Sequence, residues 1–446
     1  MSDLALPYVL PPIRDPDLEF VKYYNLLKCL LGRRQRKARI DAMPFDLTID
    51  MTTTCQLRCP YCDTGNGSMT RPKRVMKQEM YDTILGRVAD PCFIILFFST
   101  GEPLLNKGLG DLVATSKDRE IFSIISTNLS LRLSDNTLTA LLHSGLGIIS
   151  VSLDGASPES YVQYRRRGDF NLVADNIQRL VALKKKLGLT YPLIEWRFLR
   201  FRHNEHEEPL ARRMAEAWGI DLMEFSTGAT PPDDHPASDG VFAARNAPLG
   251  PAITGPALYR LAAAQKRARL IAKLVPDIMI GGAIDMATAT PKCDWLYYSG
   301  MIYPDGRVAP CCLPSSVDTD FVDSIGDYST YTDLFNSEKH VASRELFTTG
   351  AKAGTVCDNC PNPGAQHYQF RMATRAVLRN APDWVAKCLI ANPDAFFFDD
   401  DSELVPEVRA IRDLGGAADV DIDDRVIARL AALGETCSGT VVEALS

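Results

Sequence analysis

Residues 45–62 read FDLTIDMTTTCQLRCPYC, a strand-like run that ends in three closely spaced thiols, Cys55-x3-Cys59-x2-Cys62. The strand part is the first of a series. Similar runs follow at CFIILFFST (92–100), IFSIIST (121–127), GIISVSL (147–153), LIEWRFLRF (193–201) and DLMEFST (221–227). Between them stand stretches such as MYDTILGRV, NTLTALLHSG and NLVADNIQRLVALKKKLGL, whose apolar residues recur at helical spacing. Six strand-then-helix units in succession predict an α/β fold: a parallel sheet with helices outside, as a barrel or partial (β/α)6 barrel. Such folds place their chemistry at the C-terminal ends of the strands. The three thiols follow the first strand, on that edge.

The whole chain has 446 residues, with 49 Lys and Arg against 56 Asp and Glu, for a net charge of −7. This length suggests two domains, or one with additions. The mildly acidic balance argues against a nucleic-acid partner, which would favour a basic face. No run approaches the ~18 apolar residues of a membrane span. The opening MSDLALPYVLPPIRDPDLEF carries acidic residues and prolines where a signal peptide would be basic and then apolar. A cytoplasmic location is the expectation.

Twelve cysteines in such a chain call for an explanation other than disulfides. Cys29, Cys92, Cys388 and Cys437 read as small buried hydrophobes. The rest cluster. Three thiolates can hold three irons of a [4Fe–4S] cubane and leave the fourth iron open. Structural zinc needs four closed ligands, and no further His or Cys stands beside Cys55, Cys59 and Cys62. The second group is Cys293, Cys311, Cys312 and the pair Cys357-x2-Cys360. With Cys312 set aside it supplies four ligands, which suit a closed iron–sulfur cluster or zinc.

Cys55-x3-Cys59-x-Tyr61-Cys62 resembles the cysteine motif of radical S-adenosylmethionine (SAM) enzymes, with Tyr61 at the aromatic position. Other segments support the resemblance in order. Thr100-Gly101-Glu102-Pro103 is similar to the family's GGEP motif, which meets the SAM amino group; Thr100 replaces its first glycine. Asn128 closes Ser126-Thr127-Asn128, where the family often has a TN pair. Ser152 and Asp154 lie in a ribose-contacting S-x-D-G segment, and Arg165-x-x-Gly168-x-Phe170 follows, with Arg165 as the SAM contact. The resemblance implies that the open iron chelates SAM and that an electron cleaves it to a 5′-deoxyadenosyl radical. An electron donor such as flavodoxin or ferredoxin is implied with it.

The spacing Cys293-x12-Gly306-x4-Cys311, followed by Cys357 and Cys360, is similar to the SPASM/twitch extension of these enzymes. Gln366 stands where a full SPASM pattern would continue with cysteine, so one auxiliary [4Fe–4S] cluster of twitch type is expected. The expected organisation is an N-terminal extension (1–44), the barrel (45–230), a linker and helix (231–285), a small cysteine-rich α+β domain (286–365) and a helical C-terminal extension (366–446).

The strands are not uniformly apolar, as strands buried on both faces should be. By two-residue alternation Asp46 and Asp50, Ser150 and Ser152, Glu195 and Arg197, and Glu224 and Ser226 each share a face. These faces should line the barrel interior. Glu195, Arg197 and Glu224 are therefore either a structural ion network or the proton acceptor and substrate clamp of a polar chamber. Arginine cannot readily act as a base, so Arg197 would orient. Cys312 is either a hydrogen donor, as an epimerisation would need, or a buried neighbour of Cys311. The leading expectation is oxidation or epimerisation of a polar small molecule, sugar or aminocyclitol-like. Peptide modification is a further route, although residues 1–44 are too short for the peptide-binding domain that such relatives often carry. The rival from another class is a non-catalytic iron–sulfur or zinc protein. It explains the cysteines but none of the SAM-associated segments.

Overall fold

The computed structural model describes residues 10–227, 253–254, 293–311, 321, 323–360, 373–374, 377–378, 380–382, 384–385, 388–389, 393–396 and 428–429. Helix α1 (Pro16–Arg34) comes first. Then β1 (Asp46–Ile49), α2 (Asp63–Asn66), α3 (Gln78–Val88), β2 (Ile94–Leu96), α4 (Leu109–Lys117), β3 (Phe122–Thr127) and α5 (Asp135–His143) follow. The alternation continues through β4 (Ile148–Ser152), α6 (Pro158–Tyr164), α7 (Phe170–Lys186), β5 (Leu193–Arg200), α8 (Glu208–Trp218) and β6 (Leu222–Thr227). Beyond lie β7 (Ile253–Thr254), α9 (Trp295–Tyr298), β8 (Ser299–Ile302), β9 (Val308–Ala309), α10 (Tyr331–Phe335), α11 (Glu338–Thr349) and α12 (Pro393–Phe396). Among the described residues no helix is long and apolar enough to cross a membrane.

The strands form one sheet in the order β7-β6-β5-β4-β3-β2-β1-β8-β9. Strands β1 to β6 run parallel in sequence order, each joined to the next by a segment that contains helix, as parallel pairing requires. The open edge of β1 does not end the sheet. Strand β8 pairs with it in parallel, Asp46↔Ser299 to Ile49↔Ile302, and β9 folds back on β8. The hairpin between Cys293 and Cys311 is thus an extension of the barrel sheet and not a detached layer. Sequence alternation could not reveal this, because the pairing joins segments some 250 positions apart in the chain. The helical stretch expected after residue 256 lies outside the described residues.

Two cores divide the sheet. Odd-numbered β1 residues Leu47 and Ile49, with Ile125, Ile149, Val151, Trp196 and Phe225, pack against the surrounding helices. The inward face begins apolar: Phe45, Ile94, Ile124, Ile148, Leu193 and Leu222 meet α1 and part of the C-terminal region, including Val377, Trp384 and Phe396. The N-terminal mouth of the barrel is therefore plugged. The expectation that the interior is polar holds for the upper half of the strands; the lower half is mostly apolar, with Asp46 an exception.

Helix α1 is shaped for this task. Asp15 caps it by accepting from the Asp17 and Leu18 N–H groups, and Pro16 occupies the first turn. At its other end Arg33 pairs with Asp294 at 2.6 Å, with both side chains almost wholly buried. Arg344, also fully buried, donates to the carbonyls of Ala38, Phe335 and Leu296. These contacts lock the second cysteine region to the barrel floor. Arg33→Met should cost about 3–5 kcal/mol, because a buried carboxylate loses its partner. Replacing Asp294 by Leu in the same chain should recover most of it. Urea midpoints of the two variants check both expectations.

Candidate active site

Cys55 stands six residues beyond the end of β1, and the cysteine loop is held by short contacts. The Leu57 N–H and the Asn128 amide both donate to Cys55 Sγ, at 3.4 Å and 3.6 Å. Gln56 Nε2 donates to Asn128 Oδ1 at 2.7 Å and fixes that amide. Gly65, in α2, lies so close to the loop that a Cβ would stand 2.6 Å from the Cys59 carbonyl oxygen. Burial pushes the Cys55 thiol up to about 11, and it also raises that of Cys59, against the nearby Arg165. Binding a metal would release these protons. Three free thiols with N–H donors and a guanidinium around them fit an anionic three-thiolate iron–sulfur site. Tyr61 packs with Cys55 and Cys62 around buried Leu57, Tyr164 and Phe201.

The segments that follow β2, β3 and β4 converge on the same edge. Gly101 sits against β1's exit; a Cβ there would meet the Thr52 carbonyl oxygen at 2.0 Å, so no other residue fits. The Glu102 N–H donates to Thr54 O at 2.8 Å. The Glu102 carboxylate turns inward and accepts from the Thr127 hydroxyl and the Leu104 and Asn128 N–H groups. It ties the Gly101–Pro103 turn to β3. Thr100, which departs from the glycine of the motif, gives its hydroxyl to buried Asp50. Asp154 is completely buried; its oxygens accept from the Leu199 N–H at 2.8 Å and Arg165 Nε at 2.5 Å. Its role in this geometry is to hold Arg165 beside Cys59. Ser152 stands at the tip of β4, with its Oγ 3.4 Å from that of Ser126.

Inside the barrel, register stacks the polar residues into layers. Ser126, Ser150 and Glu195 align across β3, β4 and β5; Ser152, Arg197 and Glu224 align one level higher. Glu195 is buried and its carboxyl is pushed up to about 7, first by burial and then by Glu224, with Ser150 and Arg197 opposing. Arg197 and Glu224 are 3.9 Å apart and partly exposed. The Ser226 side chain and Cys312 lie outside the described residues. Asp46, at the floor, has its carboxyl pushed up to about 7 by burial.

The second set converges as well. Cys293, Cys311, Cys357 and Cys360 line one small pocket with Leu296, Pro310, Phe347 and Val356. Four thiols around an apolar space fit a closed cluster. Since β9 runs back along β8, Cys311 returns to the level of Ser299 and Asp46. This pocket is therefore at the N-terminal edge of the sheet, whereas Cys55, Cys59 and Cys62 lie at the C-terminal edge. A four-residue strand spans ~13 Å. A separate cavity of about 420 Å³ also opens on the N-terminal side, between Ile13, Tyr23, Phe122 and Tyr191, away from the polar layers.

Residues 49–195 match the family model of the radical SAM superfamily, and residues 293–361 match that of an iron–sulfur cluster-binding (SPASM) domain. The chain therefore carries a radical SAM domain and a SPASM domain. These domains imply [4Fe–4S] clusters and SAM as cofactors. A GTP 3′,8-cyclase of Corynebacterium glutamicum is 31% identical over 159 residues, which are 34% of this chain and 42% of that protein. The chain thus spans less than half the length of that relative. A PqqA peptide cyclase of Xanthomonas campestris is 25% identical over 324 residues, 71% of this chain and 79% of that one. Among solved structures, BtrN in complex with AdoMet and 2-DOIA aligns with 73% of this chain and 96% of its own, at 17% identity and a TM-score of 0.42. Streptococcus suis SuiB bound to S-adenosylmethionine aligns with 69% and 68%, at 13% identity and a TM-score of 0.45.

Several residues that shape the three-thiol site carried no sequence signal of their own. Gln56 and Gly65 act through neighbours brought close only by folding, and Thr100 reads as a mismatch until Asp50 is seen beneath it. The separation of the two thiol sets leads to an iron-counting test. Changing Cys55, Cys59 and Cys62 to Ala should leave about four irons per chain after anaerobic reconstitution. A chain left with no iron would contradict two independent sites.

Proposed function

We propose that this radical SAM enzyme removes a hydrogen atom from a polar substrate held over the inner polar layers, and that the substrate leaves oxidised. The observation that carries the reading is the meeting, at one strand edge, of the three-thiol loop, the Gly101 turn and Arg165 above Ser150, Glu195 and Arg197. When bound, the clusters supply the electron that cleaves SAM and a sink for the substrate's surplus electron, and SAM supplies the abstracting radical.

The chain's own groups do the rest. Cys55, Cys59 and Cys62 hold the SAM-binding cluster, and Cys293, Cys311, Cys357 and Cys360 hold the auxiliary one. The Asn128 amide stabilises thiolate charge on Cys55. Backbone groups of Gly101 to Pro103, with Ser152 and Arg165, surround SAM. Glu195 accepts the substrate proton: a carboxylate poised near neutrality is both deprotonated often enough and basic enough to serve. Arg197 and Glu224 orient the substrate from the layer above.

Serine hydroxyls, two carboxylates and a guanidinium suit a hydroxylated or amine-bearing small molecule, sugar or aminocyclitol-like. A second reading, a peptide substrate, is favoured by the 324-residue alignment with the PqqA peptide cyclase. Label transfer into 5′-deoxyadenosine from deuterated candidates of both classes separates them.

The reduced, iron-loaded protein should convert SAM to 5′-deoxyadenosine; failure to do so removes the enzyme reading. Substrate oxidation should rise with pH through about 7, as Glu195 loses its proton. Glu195→Gln should lower it ~10²–10⁴-fold and abolish that limb of the profile.

A further inference from the structure

Arg71 lies beyond the cysteine loop and takes no part in the SAM-associated segments, yet it is only 7% exposed. Its Nε approaches Met69 Sδ at 3.2 Å, while Nη1 and Nη2 are both enclosed and have no hydrogen-bond partner among the described residues. The guanidinium carbon stands 4.2 Å from the centre of the Tyr303 ring. Tyr303 follows β8 directly. Since Thr48 aligns with Met301 and the Asp50 N–H donates to Ile302 O, two-residue alternation places Asp50 and Tyr303 together on the inner face. Ser99 Oγ meets Met301 Sδ at 3.5 Å from the same side. Arg71 therefore covers the rim of the chamber between β1 and β8, across from Glu195 and Arg197 on β5.

The obvious partner for this charge is already engaged. Both oxygens of Asp50 accept from Thr100, one from its hydroxyl and one from its N–H. An arginine cannot shed its proton to escape burial, and unpaired buried donors are rare enough to need a reason. A planar fork held over an aromatic ring suits two oxygens in one plane. We propose that Arg71 binds a carboxylate of the substrate, with Nη1 and Nη2 each donating to one oxygen and Tyr303 fixing the plane of the fork. The substrate class narrows accordingly to acids: an amino acid, a sugar acid or an acidic side chain of a peptide. The assignment to substrate rests on the function proposed above, in which Arg165, beside Cys59, serves SAM.

The test compares cluster-loaded wild type with Arg71→Met, using succinate and its neutral analogue succinamide in calorimetric titrations and labelled SAM in equilibrium dialysis. Wild type should bind succinate in preference to succinamide. Arg71→Met should weaken succinate by about tenfold or more and SAM by no more than about twofold, as loss of a forked charge contact at one ligand predicts. Should Arg71→Met fail to hold iron, Arg71→Lys keeps the charge without the fork and should weaken succinate in the same direction. Unchanged succinate binding, or none by wild type, overturns the proposal. A loss confined to SAM overturns it too, by giving the carboxylate to SAM. Succinate binding that depends on Arg71 in a protein that never forms 5′-deoxyadenosine would instead sink the proposed function and leave the carboxylate site standing.

Discussion

Everything at the candidate site depends on the hydrogen bonding of β1 on both of its edges. On one side Asp46, Leu47 and Thr48 align with β2; on the other, Asp46 to Ile49 align with β8. A strand with a free edge would leave a row of unpaired backbone groups. Here β8 takes that edge and brings the second cysteine set with it. The first set leaves from the C-terminal end of β1 and the second gathers beside its N-terminal end. One short strand therefore sets the spacing of two potential iron–sulfur sites, with the substrate chamber between them.

The chamber owes its polarity to a change of character along the strands. Asp46 apart, the lower inner positions are mostly apolar and bury against α1, whereas the upper ones are Ser, Glu and Arg. The apolar plug excludes water from below, and charge held just above it feels a low dielectric. This is why the Glu195 carboxyl is raised towards neutrality. The same environment makes each donor count. Asn128, Gln56 and the backbone of Leu57 all turn towards sulfur or towards the groups that orient it, as outer partners of a metal site commonly do.

Much of this was legible from residue spacing. The thiols of Cys55, Cys59 and Cys62 are local in sequence, so their meeting needs only one loop. The alternation of Ser150 with Ser152 and of Glu195 with Arg197 fixed which side chains share a face. Roles were harder to read than places. Glu102 and Asp154 stand where the motifs put them, yet their carboxylates face other segments of the chain: Glu102 holds β3, and Asp154 holds Arg165. A side chain's partner depends on which strand ends lie beside it, and that is a property of the assembled sheet.

By itself the sequence determined the parallel α/β frame, the edge on which the thiol loop falls and the grouping of the cysteines into sets of three and four. These follow from periods of two and 3.6 residues and from ligand spacing, which are local. Only the tertiary structure decided that β8 extends the barrel sheet at β1, that the two thiol sets occupy opposite edges, and that Gly65, Gly101 and Arg71 are constrained as they are. All but the Gly65 contact, which lies within the cysteine loop, arise from the close approach of segments distant in the chain, where a Cβ, a carbonyl or a guanidinium meets atoms that no local pattern records.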